Sequence, residues 1–263
     1  MLASFAFLKR VAANPGIGKI RTIVEIGANK CTESLDFFDS FPDADIYPFE
    51  CNPDTIPICR DAIKGKARIH LIEKAASDRD GTIDFFPIDT AHAATIHEDG
   101  NTGASSLFLR NDDNGVTRER LPQRQVTVGS IALETFMREH ELGSIDMLWL
   151  DAQGAELMIL KGLGPRIGDV KLIQCETEFV EEYSRQPLYP EIRSFMERHG
   201  FVFCGFSSEW YPHAADSIFI RRDIFEAMPL LAKIFFRFFA ALPVGPAWSR
   251  KMTYRMRRWY AGV

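Results

Sequence analysis

The 263-residue chain is poor in cysteine and has neither an internal repeat nor a low-complexity stretch. Its five cysteines (Cys31, Cys51, Cys59, Cys175 and Cys204) are odd in number and form no C-x-x-C pair. That argues against a disulfide framework and a zinc site, and for a reduced cytoplasm. No run of about 20 uncharged apolar residues is present, so a spanning helix is not expected. Residues 1–8 are apolar, but Lys9 and Arg10 follow them where a secretory signal would place its charges first. This segment reads as an N-terminal helix over residues 1–20. Acid is missing from the C-terminal end. After Glu226 there is none, whereas Lys233, Arg237, Arg250, Lys251, Arg255, Arg257 and Arg258 all lie there. The net charge of −5 therefore divides into +7 on the tail and −12 on the rest. Such a body does not attract nucleic acid, while the tail suits an anionic surface.

Hydrophobic content of 46% and charged content of 25% describe a globular chain, long enough for one large α/β domain. Strand-like runs cover residues 22–26, 45–50, 68–74, 82–88, 124–128, 145–151, 170–176, 201–206 and 217–221. Helical patterns fall at 32–40, 53–64, 130–140, 155–163 and 189–199, with two more in the tail. Strands alternating with helices predict right-handed crossovers and a mostly parallel sheet with helices on both faces. Only ten residues separate the last two strands, too few for a crossover helix, so these should pair antiparallel. Residues 88–122, rich in glycine and asparagine, read as a tethered, partly mobile insertion or lid. The expected organisation is a domain over 21–222 and a basic helical tail over 223–263.

Two strand-to-glycine junctions carry the chemistry. An apolar run from Ile145 stops at Asp151, Gly154 follows, and a helical pattern begins at once. This is how a buried parallel strand delivers a carboxylate to the sheet edge where ligands bind. The other junction is Glu25-Ile26-Gly27-Ala28-Asn29. Its glycine permits positive φ and close backbone approach, and the next helix offers its N-terminus to a ligand. The following strand ends in Glu50, 23 positions after Gly27, about where an acid receives ribose hydroxyls. A dinucleotide fingerprint would need glycines at positions 29 and 32, which hold Asn29 and Thr32.

Val24-Glu-Ile-Gly-Ala-Asn29, Phe49-Glu50, Ala75-Ala-Ser-Asp78 with Gly81, Ser105-Ser-Leu107, and Leu150-Asp-Ala-Gln-Gly-Ala-Glu156 followed by Leu160-Lys-Gly162 occur in that order. In this the chain resembles the FkbM-like S-adenosylmethionine-dependent methyltransferases from about residue 21 to residue 221. The resemblance implies a class I methyltransferase fold, Rossmann-like, whose sheet ends in an antiparallel strand pair. It implies S-adenosylmethionine as cofactor and a hydroxyl acceptor on a sugar, glycan or secondary metabolite. By match, Glu25, Gly27 and Asn29 fall at the methionine part, Glu50 at the ribose, and Ser77 with Asp78 beside adenine. Two positions depart from the pattern: Cys31 replaces a second glycine, and Gln153 replaces a glutamate. An NAD(P)-binding Rossmann protein and a non-catalytic scaffold with a degenerate pocket are the competing readings.

Asp151 is the candidate for a group near the transferred methyl, and capping the next helix is its alternative role. Of the loop histidines His92, His97 and His213, the last is the candidate base, with Trp210 and Tyr211 placed to stack on a sugar. Solvation is one reading of Glu156 and Lys161, five positions apart on the helix after Asp151, and the favoured one for Lys161. Glu176 and Glu178 share one side of their strand and could join Asp151 around a divalent metal. No tight acid motif is present, however, and no metal is expected. In the tail, Leu230, Ile234, Phe238 and Leu242 share a face that Phe235, Phe236 and Phe239 widen. Basic, aromatic and amphipathic together describe a helix in a membrane interface. Packing onto its own domain or onto the partner subunit of a homo-oligomer is the other reading. The expectation is a cytoplasmic enzyme, peripheral to the inner membrane face.

Overall fold

The structure, a computed structural model, describes residues 9, 11–13, 16–111, 119–206 and 213–241, with only the backbone described for 238–241. Two sheets carry the chain. In the larger, β1 (Thr22–Ile26), β2 (Asp45–Phe49), β6 (Ile145–Leu150) and β7 (Val170–Glu178) run parallel, and β8 (Phe201–Phe206) and β9 (Ala214–Arg221) complete it in the order β2-β1-β6-β7-β9-β8. β9 lies antiparallel between β7 and β8. The expected parallel sheet with an antiparallel finish is therefore present. The run at 68–74 reaches the outer edge of β2 only through parallel bridges at Ile69 and Ile72.

The smaller sheet departs from the single-sheet expectation. It consists of β3 (Ala75–Ser77), β5 (Val126–Ala132) and β4 (Gly81–Phe85), in that order. β4 and β5, expected as parts of one parallel sheet, pair antiparallel with each other. Sequence periodicity reports that a strand is half-buried, not which partner buries it.

Alternation along each central strand sorts its side chains onto two faces. Val24, Ile26, Leu148, Leu150 and Ile173 point into one core with α3 (Leu133–Glu139), α4 (Glu156–Lys161) and α5 (Tyr189–Arg198). Ile23, Met147, Leu172, Ile218 and Ile220 point into the other, with α1 (Thr32–Ser40), α6 (Arg222–Ala227) and α7 (Leu230–Ala241). A short helix, α2 (Ile56–Ala62), packs Cys59 against Ala28 and Cys31. Strands buried on both faces read as near-continuous apolar runs, which is why β6 and β7 are so legible.

The tail helix α7 is two-sided. Phe236 is 0% exposed and belongs to the second core, whereas Leu230, Leu231 and Ile234 are 68%, 81% and 55% exposed. Lys233 and Arg237 both lie within 4 Å of the Glu226 carboxylate. Among the described residues no helix is long and apolar enough to cross a membrane. Trp210, Tyr211, most of residues 1–15 and the tail beyond residue 241 lie outside the described residues.

Candidate active site

A cavity of about 260 Å³ opens where the C-terminal ends of β1, β2 and β6 meet the smaller sheet. Its floor is backbone. Gly27, at φ +83°, and Ala28 both donate their amides to the Phe49 carbonyl (3.1 and 3.0 Å), and the Asp151 amide donates to Ile26 (3.1 Å). The turn after β1 is thus stitched to the strands on both sides of it. Asn29 continues it at φ +48° and accepts the Thr102 hydroxyl at 3.0 Å. Cys31, standing where the family has glycine, occupies the left-handed region at φ 59° as the residue before α1. It is fully buried, so the substitution fills space against Cys59 and Ala28 at the cost of a strained backbone.

Glu50 lines the cavity and is 7% exposed. Burial pushes its carboxyl up to about 7, although the Asn52 amide donates to it at 2.7 Å and the Asn29 backbone and Thr55 hydroxyl add further bonds. Glu33 and Asp151 line the same cavity. Burial raises Glu33, and the Asp151 charge adds to that. Glu25 lies beneath the floor and not on its lining. It accepts the Ser34 hydroxyl, and desolvation holds its carboxyl well above the usual range. Burial and mutual repulsion lead these acids to hold protons, and a cation placed among them relieves that crowding where a pyrophosphate would add to it.

Asp151 stands at the exposed rim. It makes no capping bond to α4, so the capping role drawn from sequence is not used. Glu156 holds that turn instead, its Oε1 accepting the amides of Ala152 (2.9 Å) and Gly154 (3.3 Å). Glu156 is 0% exposed, which corrects the solvated reading, while Lys161 is exposed as expected. Gln153 explains itself by its contacts. Its Nε2 donates to Asp151 Oδ1 (2.9 Å) and to Glu176 Oε2 (2.7 Å), and its Oε1 lies 2.9 Å from the Tyr183 hydroxyl. An amide serves both carboxylates where a glutamate would repel them.

Ser77 and Asp78, expected beside adenine, fall outside the cavity lining, and Lys74, Ala75 and Ala76 line it instead. Ser77 is buried against the end of α4, where a Cβ on Gly162 would meet the Ser77 carbonyl oxygen at 2.0 Å. Gly162 therefore lets the end of α4 pack closely on β3 of the smaller sheet. His213 precedes β9, 3.7 Å from Glu182, and does not line the cavity. His92 and His97 pair with Asp89 and Glu119 away from it.

The region read as a lid supplies one wall. Thr102, Gly103, Ser105, Ser106 and Leu107 face the cavity. The Ser106 hydroxyl donates to the Gln153 carbonyl (2.7 Å) while accepting the Phe108 amide (2.9 Å). The described parts of the insertion are further tied by bridges between Ile88 and Gln123 and between Ala94 and Arg120. Sequence reasoning named Ser105 to Leu107 only as a motif, and it missed Glu33 and Lys74. An acid in the first turn of the helix after the glycine junction was the one local signal for Glu33.

The sequence matches the Methyltransferase FkbM domain over residues 25–203. It is 30% identical over 170 residues to the 2-O-methyltransferase NoeI of Sinorhizobium fredii (strain NBRC 101917 / NGR234), covering 64% of this chain and 65% of that protein. It is 24% identical over 218 residues to the methyltransferase sdnD of Sordaria araneosa, covering 76% of this chain and 81% of that protein. Among solved structures, M. capricolum TrmK in complex with S-adenosyl-homocysteine aligns with a TM-score of 0.42 at 12% identity, over 79% of this chain and 66% of that one. With more than half of its length inside that domain, the glycine junction, Glu50 and Asp151 included, the chain belongs to the FkbM methyltransferase family.

Proposed function

We propose that the protein transfers the methyl group of S-adenosylmethionine to a hydroxyl oxygen of a sugar, on a glycan or secondary metabolite. The carrying observation is the ring of Glu33, Glu50 and Asp151 around a cavity floored by the Gly27 backbone. Bound there, the donor supplies a methyl on a positively charged sulfur, which in-line attack displaces. Glu50 holds the ribose hydroxyls, the open floor admits the methionine part, and the carboxylates favour the sulfonium charge over a dinucleotide pyrophosphate. Orientation is the larger part of catalysis in such a displacement. Asp151 is the group placed to take the acceptor proton, held in position by the Gln153 amide. The 2-O-methyltransferase relative supports an oxygen acceptor.

Calorimetric titration with S-adenosylhomocysteine tests this reading. Wild-type protein binds, and Glu50→Ala weakens binding at least tenfold. No binding by wild type, or stabilisation by NAD or NADP in its place, overturns it. Turnover of the donor with any hydroxyl acceptor excludes a non-catalytic scaffold. Transfer of labelled methyl to cell-envelope extracts then identifies the acceptor.

The exposed Leu230, Leu231 and Ile234 of α7, continuous with the basic tail, support a second element of this reading. The enzyme works in the cytoplasm with its tail on the anionic inner face of a membrane, near lipid-linked acceptors. Each tail cation near such a surface adds about 1 kcal/mol, and salt weakens it. Flotation with anionic but not neutral vesicles is expected. Equal failure with both, together with a change of oligomeric state on tail truncation, assigns the tail to a subunit interface.

A further inference from the structure

Behind the rim of the cavity, three glutamates converge. Glu156 opens α4, Glu176 and Glu178 end β7 on one side of the strand, and one carboxylate oxygen from each lies within 4.8 Å of the other two. Two of the three are buried outright: Glu156 is 0% and Glu178 is 3% exposed. Half of each of these carboxylates is unsatisfied. Glu156 Oε1 is used by the Ala152 and Gly154 amides, but no N–H or O–H reaches Glu156 Oε2 or Glu178 Oε2. Glu176 is only half-buried and opens the cluster to solvent. Among the described residues, no lysine, arginine or histidine forms an ion pair with any of the three.

An unpaired buried carboxylate is expensive, and three together more so, because like-charge repulsion adds to the desolvation of each. The donor set is all oxygen, the preference of hard cations, and a 4.8 Å reach is about twice a calcium–oxygen bond. We propose that Glu156, Glu176 and Glu178 form a binding site for a hard divalent cation, magnesium, manganese or calcium. The cation is distinct from the methyl donor and does not depend on it. Through the Gln153 amide, which bonds both Glu176 and Asp151, an ion here stiffens the rim of the cavity.

Manganese titration followed by electron paramagnetic resonance tests the site on the full chain, without donor or acceptor. One ion per chain is expected to lose its free six-line signal, with a Kd of about 10⁻⁴ M or tighter, and to be displaced by calcium or magnesium. Glu178→Gln weakens it at least tenfold, while Glu73→Gln, at an exposed acid distant in sequence, leaves it unchanged. If Glu178→Gln does not fold, Glu178→Asp and the rise in wild-type melting temperature with manganese provide the same readings. Wild type that leaves the manganese signal free at 1 mM overturns the proposal, as does undiminished binding by Glu178→Gln. In either case the three carboxyls are neutralised by protons. The methyl-transfer reading fails separately, if S-adenosylhomocysteine binds neither the cation-free nor the manganese-loaded wild type.

Discussion

A Cβ atom placed on Gly27 would stand 1.8 Å from the carbonyl oxygen of Asp151. The two junctions that organise the site are therefore in backbone contact, and no side chain fits between them. Gly27→Ala adds that clash to the strain of φ +83°. It should destabilise the fold by about 3 kcal/mol or more, the range reserved for overpacking and forbidden backbone. Urea unfolding measures this. Wild-type stability with intact S-adenosylhomocysteine binding would show that the turn has room the structure denies it.

Glu50 links stability to pH. Its carboxyl ionises near its ordinary 4.5 when unfolded and at about 7 when folded. Below 4.5 both states hold the proton and the folded state loses nothing. As pH rises to 7 the unfolded chain gives up its proton first, and stability falls. Glu50→Gln removes this loss, so the variant gains roughly 3 kcal/mol on wild type between pH 4 and pH 8, while binding the donor more weakly at every pH. Denaturation at a series of pH values, compared between the two proteins, reads the difference. A gap independent of pH refutes the assignment.

Asp151 lines the cavity and His213 does not. Asp151→Asn should lower kcat by roughly 10² to 10⁴, the worth of a positioned base, with S-adenosylhomocysteine affinity nearly unchanged. His213→Ala should leave kcat within a few-fold. The reverse pattern in steady-state kinetics moves the proton-accepting role to the loop before β9.

Phe236 and Leu231 separate the two roles of the tail helix. Phe236→Ala empties a buried site and should cost about 3 to 5 kcal/mol. Leu231→Glu, at a position 81% exposed, should change the melting temperature little and abolish vesicle flotation. Flotation unaffected by Leu231→Glu removes this helix face from membrane contact.

Much of the architecture is legible in local patterns along the chain. The apolar run that ends at Asp151, the glycine at position 27 and the acid at position 50 are local signals of buried parallel strands delivering groups to one sheet edge. The short link between the last two strands forced their antiparallel pairing, because a crossover helix does not fit in it. Tertiary structure alone decided what those groups touch. Gln153 meets Glu176, 23 residues away in sequence, and Ser106 meets Gln153 across 47. No periodicity encodes such contacts, because period-two and period-3.6 patterns report only which side of an element is buried. The same limit explains Ser77, which turns into packing against Gly162, Asp78, which lies exposed outside the cavity lining, and Glu156, whose charge reads as surface in a sequence and lies in the core.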